Sequence, residues 1–126
     1  MQQRVSVQPS TQKRFDEDGV VLIPSGIDTD AIERIRKAVD RTLTQPTNYF
    51  DHVRIWENDR DCAWYCLESP IPILAATLLQ SSKINLLFDQ IFAKEAGAPH
   101  TPWHNDQPYW PIRGWPVMTV WLALDE

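Results

Sequence analysis

The chain of 126 residues fits a single domain, and its 43% hydrophobic and 23% charged residues are ordinary for a globular protein, which excludes wholesale disorder. The formal net charge of −5 argues against nucleic acid or anionic lipid as a partner, because an acidic surface repels phosphate. The sequence has neither the roughly 18 consecutive apolar residues of a membrane span nor the apolar core of a secretory signal, so we expect a cytoplasmic protein without a membrane partner.

The N-terminal part predicts a flexible lead, a short strand and a helix. Residues 1–12 carry few large apolar side chains and are expected to be flexible, whereas the β-branched run 19–24 ends in proline and predicts a strand. The clearest helix of the chain follows, capped by Asp28 or Asp30, with Glu33 in the position that a capping box requires. Its apolar stripe is predicted to comprise Ile32, Ile35, Val39 and Leu43.

The middle of the chain has a weaker pattern. Residues 47–69 show no sustained period and are predicted to be irregular, except for a short strand over 53–56. Cys62 and Cys66 are four residues apart, and nothing nearby completes a zinc site. We therefore expect two free thiols that are at least partly buried.

A second helix and two strands complete the predicted elements. The helix begins at Pro70 or Pro72, since proline fits the first turn, and it runs through Leu79. Its nearly all-round apolarity indicates burial. The strands are predicted over 84–94, which mixes apolar and polar residues, and over 117–124, which is largely apolar.

A proline-rich segment between these two strands contains His104 and Asp106. The prolines exclude a helix and limit the segment to short extended pieces or a sheet edge. Alternate side chains of an extended chain point to the same side, so an imidazole and a carboxylate at this spacing can face one metal ion. Non-haem Fe(II) oxygenases hold iron with two histidines and one carboxylate on one face. An isolated His-x-Asp is more often a plain polar pair, and the residues around it decide between the two interpretations.

Three runs of residues around this pair carry a resemblance to a known family. They are Phe92-Ala93-Lys94-Glu95-Ala96-Gly97, Thr101-Pro102-Trp103-His104-Asn105-Asp106-Gln107-Pro108-Tyr109-Trp110-Pro111 and Trp121-Leu122-Ala123-Leu124-Asp125. Together they resemble the N-terminal half of the phytanoyl-CoA dioxygenase family. The resemblance covers most of the chain loosely and is specific from Phe88 to Asp125.

This resemblance implies a fold, a reaction and cofactors. The expected fold is mostly β with N-terminal helices (α+β), an incomplete double-stranded β-helix of the jelly-roll, cupin-like type, with residues 1–126 as the N-terminal part of one domain. The expected enzyme uses Fe(II), O2 and 2-oxoglutarate to hydroxylate a small or lipid-like molecule. His104 and Asp106 match the first two iron ligands of the family.

The remaining site residues are assigned around these two ligands. Gln90 and Lys94 share one face of the preceding predicted strand, and they are assigned to 2-oxoglutarate because Lys94 offers a cation to a carboxylate. A lysine at such a position is more often simply exposed to solvent. Three aromatic residues are expected to wall the substrate pocket and to exclude water: Trp103, Tyr109 and Trp110.

The chain is expected to be inactive by itself. No histidine follows Asp106, and the distal histidine and the 2-oxoglutarate-binding arginine of the family are expected beyond residue 126. His100 and His52 are poor substitutes, because prolines surround the first and nothing in the resemblance involves the second. Three hypotheses stay open: the N-terminal part of a longer enzyme, a half-domain completed in trans by a partner chain or second copy, and a catalytically inactive remnant or binding module. The last two predict self-association, since half a sheet leaves open edges and a bare apolar face.

Overall fold

The computed structural model describes residues 6–44, 52–114 and 116–125, and its regular structure in these ranges is helical. No strand forms among these residues, whose only β-type pairing is an isolated antiparallel bridge between Val53 and Gln90. The predicted mostly β fold with an incomplete double-stranded β-helix is therefore wrong for this structure. The elements are α1 (Pro9–Asp18), α2 (Thr29–Leu43), a 3-10 helix (Ile55–Glu57), α3 (Arg60–Leu67), α4 (Pro70–Leu78) and a second 3-10 helix (Gln107–Tyr109).

The predicted strands fail for lack of partners. A strand requires a neighbour that takes up its backbone N–H and C=O groups. The bridge supplies only two such bonds, from the Arg54 N–H to the Asp89 oxygen and from the Ile91 N–H to the His52 oxygen, each 2.9 Å. The run predicted as the first strand likewise lacks regular structure, and its Leu22 is 83% exposed.

The last segment of the described chain lies against other parts of the molecule without forming a ladder. The Leu124 carbonyl accepts a hydrogen bond from the guanidinium of Arg36 on α2. Trp121 stacks on Phe92, with ring centroids 5.9 Å apart. Trp121 is 78% exposed, so this ring contact lies at the surface of the protein.

Helix α2 forms where the sequence predicts it. The Asp28 carboxylate caps it by accepting the Ala31 N–H at 2.8 Å. Glu33 does not close a capping box but contacts Arg36 one turn further along, at 3.1 Å. The buried residues of the helix are Ala31, Ile35 and Ala38, so Ile35 is the member of the predicted stripe that is buried.

Two α-helices are not among the predicted elements, and the first begins at Pro9, inside the stretch 1–12 predicted to be flexible. Helix α1 has no buried residue and thus no apolar stripe to reveal it, and it ends at Gly19, whose left-handed backbone (φ 71°) lets its N–H reach the Phe15 oxygen at 2.9 Å. Helix α3 lies within the stretch predicted to be irregular. Its cap is Asp59, whose carboxylate accepts the N–H groups of Asp61 and Cys62 at 2.9 and 3.1 Å.

Helix α4 confirms the prediction to within one residue at its end. It begins at Pro70 after Ser69, whose hydroxyl oxygen accepts the Ile71 N–H at 3.2 Å. Leu74 and Leu78 are among its buried residues. No helix in the described part of the chain is long and apolar enough to span a membrane.

The core joins α2, α3 and the first 3-10 helix. Its buried cluster contains Ala38, Ile55 and Cys62, and the half-buried Trp56 and Ile91 pack against it. Ile91 brings the segment that precedes the predicted metal ligands onto this core. The sequence order alone gives no sign of this contact.

The two cysteines are both free, as predicted. Cys62 is buried and Cys66 is half-buried, one turn apart on α3. Burial is the main cause that raises the pKa of each thiol to about 12. The thiols are therefore packing groups rather than reactive nucleophiles.

Ion pairs hold α2 to α3. Arg34 lies over the Trp64 ring, 4.1 Å from its centroid, and its Nε contacts Asp61 at 2.7 Å. Arg41 contacts Asp59 at 2.9 Å and Asp61 at 2.7 Å. The hydrogen bond from Arg34, followed by that from Arg41, lowers the pKa of Asp61. This carboxylate therefore stays ionised between the two helices.

Candidate metal centre

The side chains of His104 and Asp106 meet in the structure. His104 Nε2 lies 3.0 Å from Asp106 Oδ1, and the two side chains are 44% and 46% exposed. The spacing places both groups on one side, as the sequence analysis expects, and leaves them accessible from solvent. Their role as ligands stays a prediction.

The backbone reaches this arrangement through a turn rather than through a regular strand. Asp106 has helical dihedral angles (φ −72°, ψ −28°) and precedes the 3-10 helix Gln107–Tyr109. The Asn105 side-chain oxygen accepts the Gln107 N–H at 2.8 Å, and the Gln107 side chain donates to the Ile112 oxygen at 3.0 Å. Neither of these supporting side chains was predicted from the sequence. Asparagine often accepts a hydrogen bond from the backbone N–H two residues ahead in a turn, and this preference could have indicated the role of Asn105.

The imidazole of His104 is oriented by the backbone. Its Nδ1 lies 2.8 Å from the Pro102 carbonyl oxygen, which can only accept, so Nδ1 carries the proton. In the neutral ring the lone pair is then on Nε2, the nitrogen that faces the Asp106 carboxylate. A metal ion held by both groups would take the Nε2 lone pair and a carboxylate oxygen of Asp106. Histidine ligands of metals are commonly oriented by such a bond to a carbonyl.

The donor set fits two of the three positions of a 2-His-1-carboxylate iron site, because it offers one imidazole nitrogen and one carboxylate oxygen. Across residues 6–44, 52–114 and 116–125, no group of three histidine, cysteine or carboxylate side chains is placed to hold a metal. Among the described residues, neither His52 nor His100 belongs to such a group.

The structure places the two residues assigned to 2-oxoglutarate in different settings. Lys94 Nζ donates to the Pro99 oxygen at 3.0 Å and to the Thr101 hydroxyl at 2.7 Å, so it contacts the loop that leads to His104. Gln90 is half-buried and forms the bridge with Val53. Their assignment to the cosubstrate stays a prediction.

The three aromatic residues assigned to the substrate pocket face three different environments. Trp103 is fully exposed, and the Tyr109 ring lies nearly perpendicular to the His104 ring, with centroids 6.4 Å apart. Trp110 is half-buried at a groove of about 310 Å³ between the end of α1, the end of α4 and residues 117–119. The three rings therefore do not line one common pocket among the described residues, and the assignment of these aromatic residues to a substrate pocket stays a prediction.

Comparison with known proteins identifies the family. The sequence model of the family described as phytanoyl-CoA dioxygenase (PhyH) matches residues 15–126, a range that includes His104 and Asp106. Neither the curated proteins nor the solved structures gave a match to this chain. Because the family match covers far more than half of the sequence, the protein belongs to the phytanoyl-CoA dioxygenase family.

Proposed function

We propose that this protein is part of a non-haem Fe(II)- and 2-oxoglutarate-dependent dioxygenase, in which His104 and Asp106 supply two of the iron ligands. The observation that carries the proposal is the 3.0 Å approach of His104 Nε2 to Asp106 Oδ1, with Nδ1 engaged by the Pro102 carbonyl. Membership of the phytanoyl-CoA dioxygenase family supports dioxygenase chemistry at this pair.

Groups of the protein orient the two side chains at the metal position. Iron with 2-oxoglutarate supplies, when bound, the oxidation of a substrate carbon by O2 while the cosubstrate is converted to succinate and CO2. The Pro102 carbonyl fixes the ring orientation of His104, and the Asn105 turn directs Asp106 toward it. The Tyr109 ring lies beside the imidazole, with ring centroids 6.4 Å apart.

The third ligand is proposed to come from a further polypeptide segment, together with the arginine that holds 2-oxoglutarate. Support comes from the absence of any three-donor metal group among the residues that the structure describes. Metal affinity depends on ligand number and on a rigid arrangement around it. We therefore expect this chain to bind Fe(II) weakly and not to turn over 2-oxoglutarate without that segment, which a longer product or a partner chain would provide.

The proposed substrate is a small or lipid-like molecule. The groove beside Trp110 is lined mainly by apolar side chains, among them Phe15, Leu78 and Met118, which suits a hydrocarbon better than a charged ligand. The net charge of −5 disfavours nucleic acid. A reducing compartment such as the cytoplasm is proposed because Cys62 and Cys66 are both free thiols.

Anaerobic titration with Fe(II), and with Co(II) as its spectroscopic substitute, tests the ligand pair. His104→Ala and Asp106→Ala should each abolish binding, whereas His100→Ala should leave it unchanged, since this nearby exposed histidine is a matched control. Unchanged binding in either ligand variant would refute the assignment. Succinate release from 2-oxoglutarate should be undetectable for the chain alone, and steady turnover would show that its ligand set is complete.

A second candidate function is a binding module without redox chemistry. It is favoured by the incomplete donor set, because a protein that has lost its third ligand would show the same pair. The metal titration separates the two functions, since a module without a metal role should bind Fe(II) no better than its His104→Ala variant does.

A further inference from the structure

Lys94 holds the loop that precedes the metal ligands. Its ammonium group donates to the Pro99 oxygen at 3.0 Å and to the Thr101 hydroxyl at 2.7 Å. A turn between these residues makes this contact geometrically feasible: the Ala98 N–H bonds the Glu95 oxygen at 3.0 Å, and Gly97 adopts a left-handed backbone with φ 84°. The chain thus returns on itself and brings residues 99–101 back to the lysine.

The backbone segment that precedes Lys94 is held against the core. Three residues earlier, Ile91 packs against the core cluster, and its N–H bonds the His52 oxygen at 2.9 Å. The neighbouring bridge joins Gln90 to Val53. Lys94 therefore extends from a segment that is tied to the helical body toward a loop in which every described residue from 92 to 105 is exposed.

The loop leads directly to the imidazole. Thr101 accepts from Lys94, and the next residue, Pro102, offers the carbonyl that orients His104 Nδ1 at 2.8 Å. A shift of Thr101 would move this carbonyl, because the Thr101–Pro102 peptide is planar and the proline ring fixes φ, which leaves one soft dihedral angle between the two groups. A charge-assisted hydrogen bond is stronger and more directional than a neutral one, so the ammonium group suits this task.

We propose that Lys94 is a positioning residue for the metal centre, which fixes the Pro102 carbonyl and through it the direction of the His104 ring. The proposal deepens the proposed function and rests on it for the role of the metal, whereas the orientation of His104 is measurable without metal. Two of the three ammonium hydrogens are engaged by the loop, so this role needs no bound 2-oxoglutarate.

Two-dimensional NOE spectroscopy of the metal-free chain tests the orientation. In the parent protein the His104 ring protons should show contacts to the Tyr109 ring, since the two ring centroids are 6.4 Å apart. Lys94→Met and Thr101→Val should weaken these contacts, because the ring loses its fixed direction. Thr101→Ser, which keeps the hydroxyl, and Lys37→Met, which removes an exposed lysine charge on α2, should resemble the parent. An unchanged His104 spectrum in Lys94→Met would overturn the proposal.

Co(II) titration without 2-oxoglutarate tests the consequence for the metal. Lys94→Met and Thr101→Val should each weaken binding about tenfold, as loss of groups that orient ligands does. The double variant should bind no more weakly than Lys94→Met, because the contact that Thr101→Val breaks is one that Lys94→Met has already removed. Additive effects would overturn the proposal, and so would a Lys94→Met variant that loses only 2-oxoglutarate affinity. If the parent itself fails to bind Co(II), the proposed function fails, and the NMR comparison still decides the role of Lys94.

Discussion

The helical body and the segment that bears the candidate metal centre differ in how they are held. All buried residues of the described chain lie between Ile27 and Leu78, and none lies in the described parts of 79–125. The predicted metal ligands, cosubstrate contacts and pocket residues all belong to the second region. Its geometry depends on turns and on side-chain to backbone hydrogen bonds, such as those of Lys94 and Asn105.

The difference separates stability from site geometry in this chain. Burial of apolar surface is the main source of folding free energy, so substitutions in the first region should change global stability. In the second region most side chains are exposed, and a substitution should change the arrangement of His104 and Asp106 before it changes the folded fraction. The two regions therefore call for different measurements.

The largest effect is expected in the helical body, for Ile35→Ala. Ile35 is 5% exposed on the buried face of α2, so the truncation should lower the free energy of unfolding by about 2 to 5 kcal/mol. Urea unfolding followed by circular dichroism measures this loss. Ile73→Ala, on the exposed side of α4, is the control and should change stability by less than about 0.5 kcal/mol. Equal losses would show that α2 does not form the core.

The ion pairs between α2 and α3 should contribute less than this burial. Asp61→Asn should destabilise the protein at pH 7 by about 1 to 3 kcal/mol, because its carboxylate accepts bonds from Arg34 and Arg41. Glu17→Gln, which breaks the exposed Lys13–Glu17 pair, is the control and should have almost no effect.

The Asp61 effect should also depend on pH. The folded protein lowers the pKa of this carboxyl group, so its stabilisation is present above the ordinary carboxyl pKa of about 4 and is lost as the pH falls through the lower folded value. The parent and Asp61→Asn should therefore converge in stability during acid titration. A difference that persists at the lowest pH would contradict the ion-pair explanation.

A smaller and more local effect is expected for Gly97→Ala. The left-handed backbone of Gly97 disfavours a Cβ atom by about 1 to 2 kcal/mol, although open space surrounds the position. The substitution should weaken Co(II) binding while the helical signal stays unchanged. Gly19→Ala is matched in φ and surroundings but ends α1, so it should leave Co(II) binding intact. If both variants bind Co(II) like the parent, the turn at Gly97 does not support the metal centre.

The smallest effect is expected for Trp103→Ala. This ring is fully exposed, so its removal should change the free energy of unfolding by less than about 0.5 kcal/mol. Trp56→Ala removes a ring of the same size that packs against the core, and it should destabilise strongly. A loss above about 1 kcal/mol for Trp103→Ala would show that its ring is packed in solution.

Local signals account for the part of the fold that the sequence predicts. Asp28 caps α2 through a neighbour three residues away, and the prolines of α4 favour its first turn without any distant contact. The periodicity of apolar residues does not reveal α1, because that helix has no buried face. It does not reveal α3 either, because that helix is short and mixes apolar and polar residues. At the site, the spacing of His104 and Asp106 predicts their approach, whereas the contributions of Pro102 and Asn105 depend on backbone turns that the spacing does not encode.

The amino-acid sequence by itself determined the family, the His104 and Asp106 pair, the cap of α2 and the two free thiols. Each depends on residue types at short spacing, for which local chemistry is sufficient. Only the tertiary structure decided that the predicted strands have no ladder, that Ile91 reaches the core and that Lys94 contacts the loop before His104. These outcomes depend on which distant backbone groups and side chains come within hydrogen-bond or packing distance. A local pattern of alternating apolar residues does not specify which distant segment a strand pairs with.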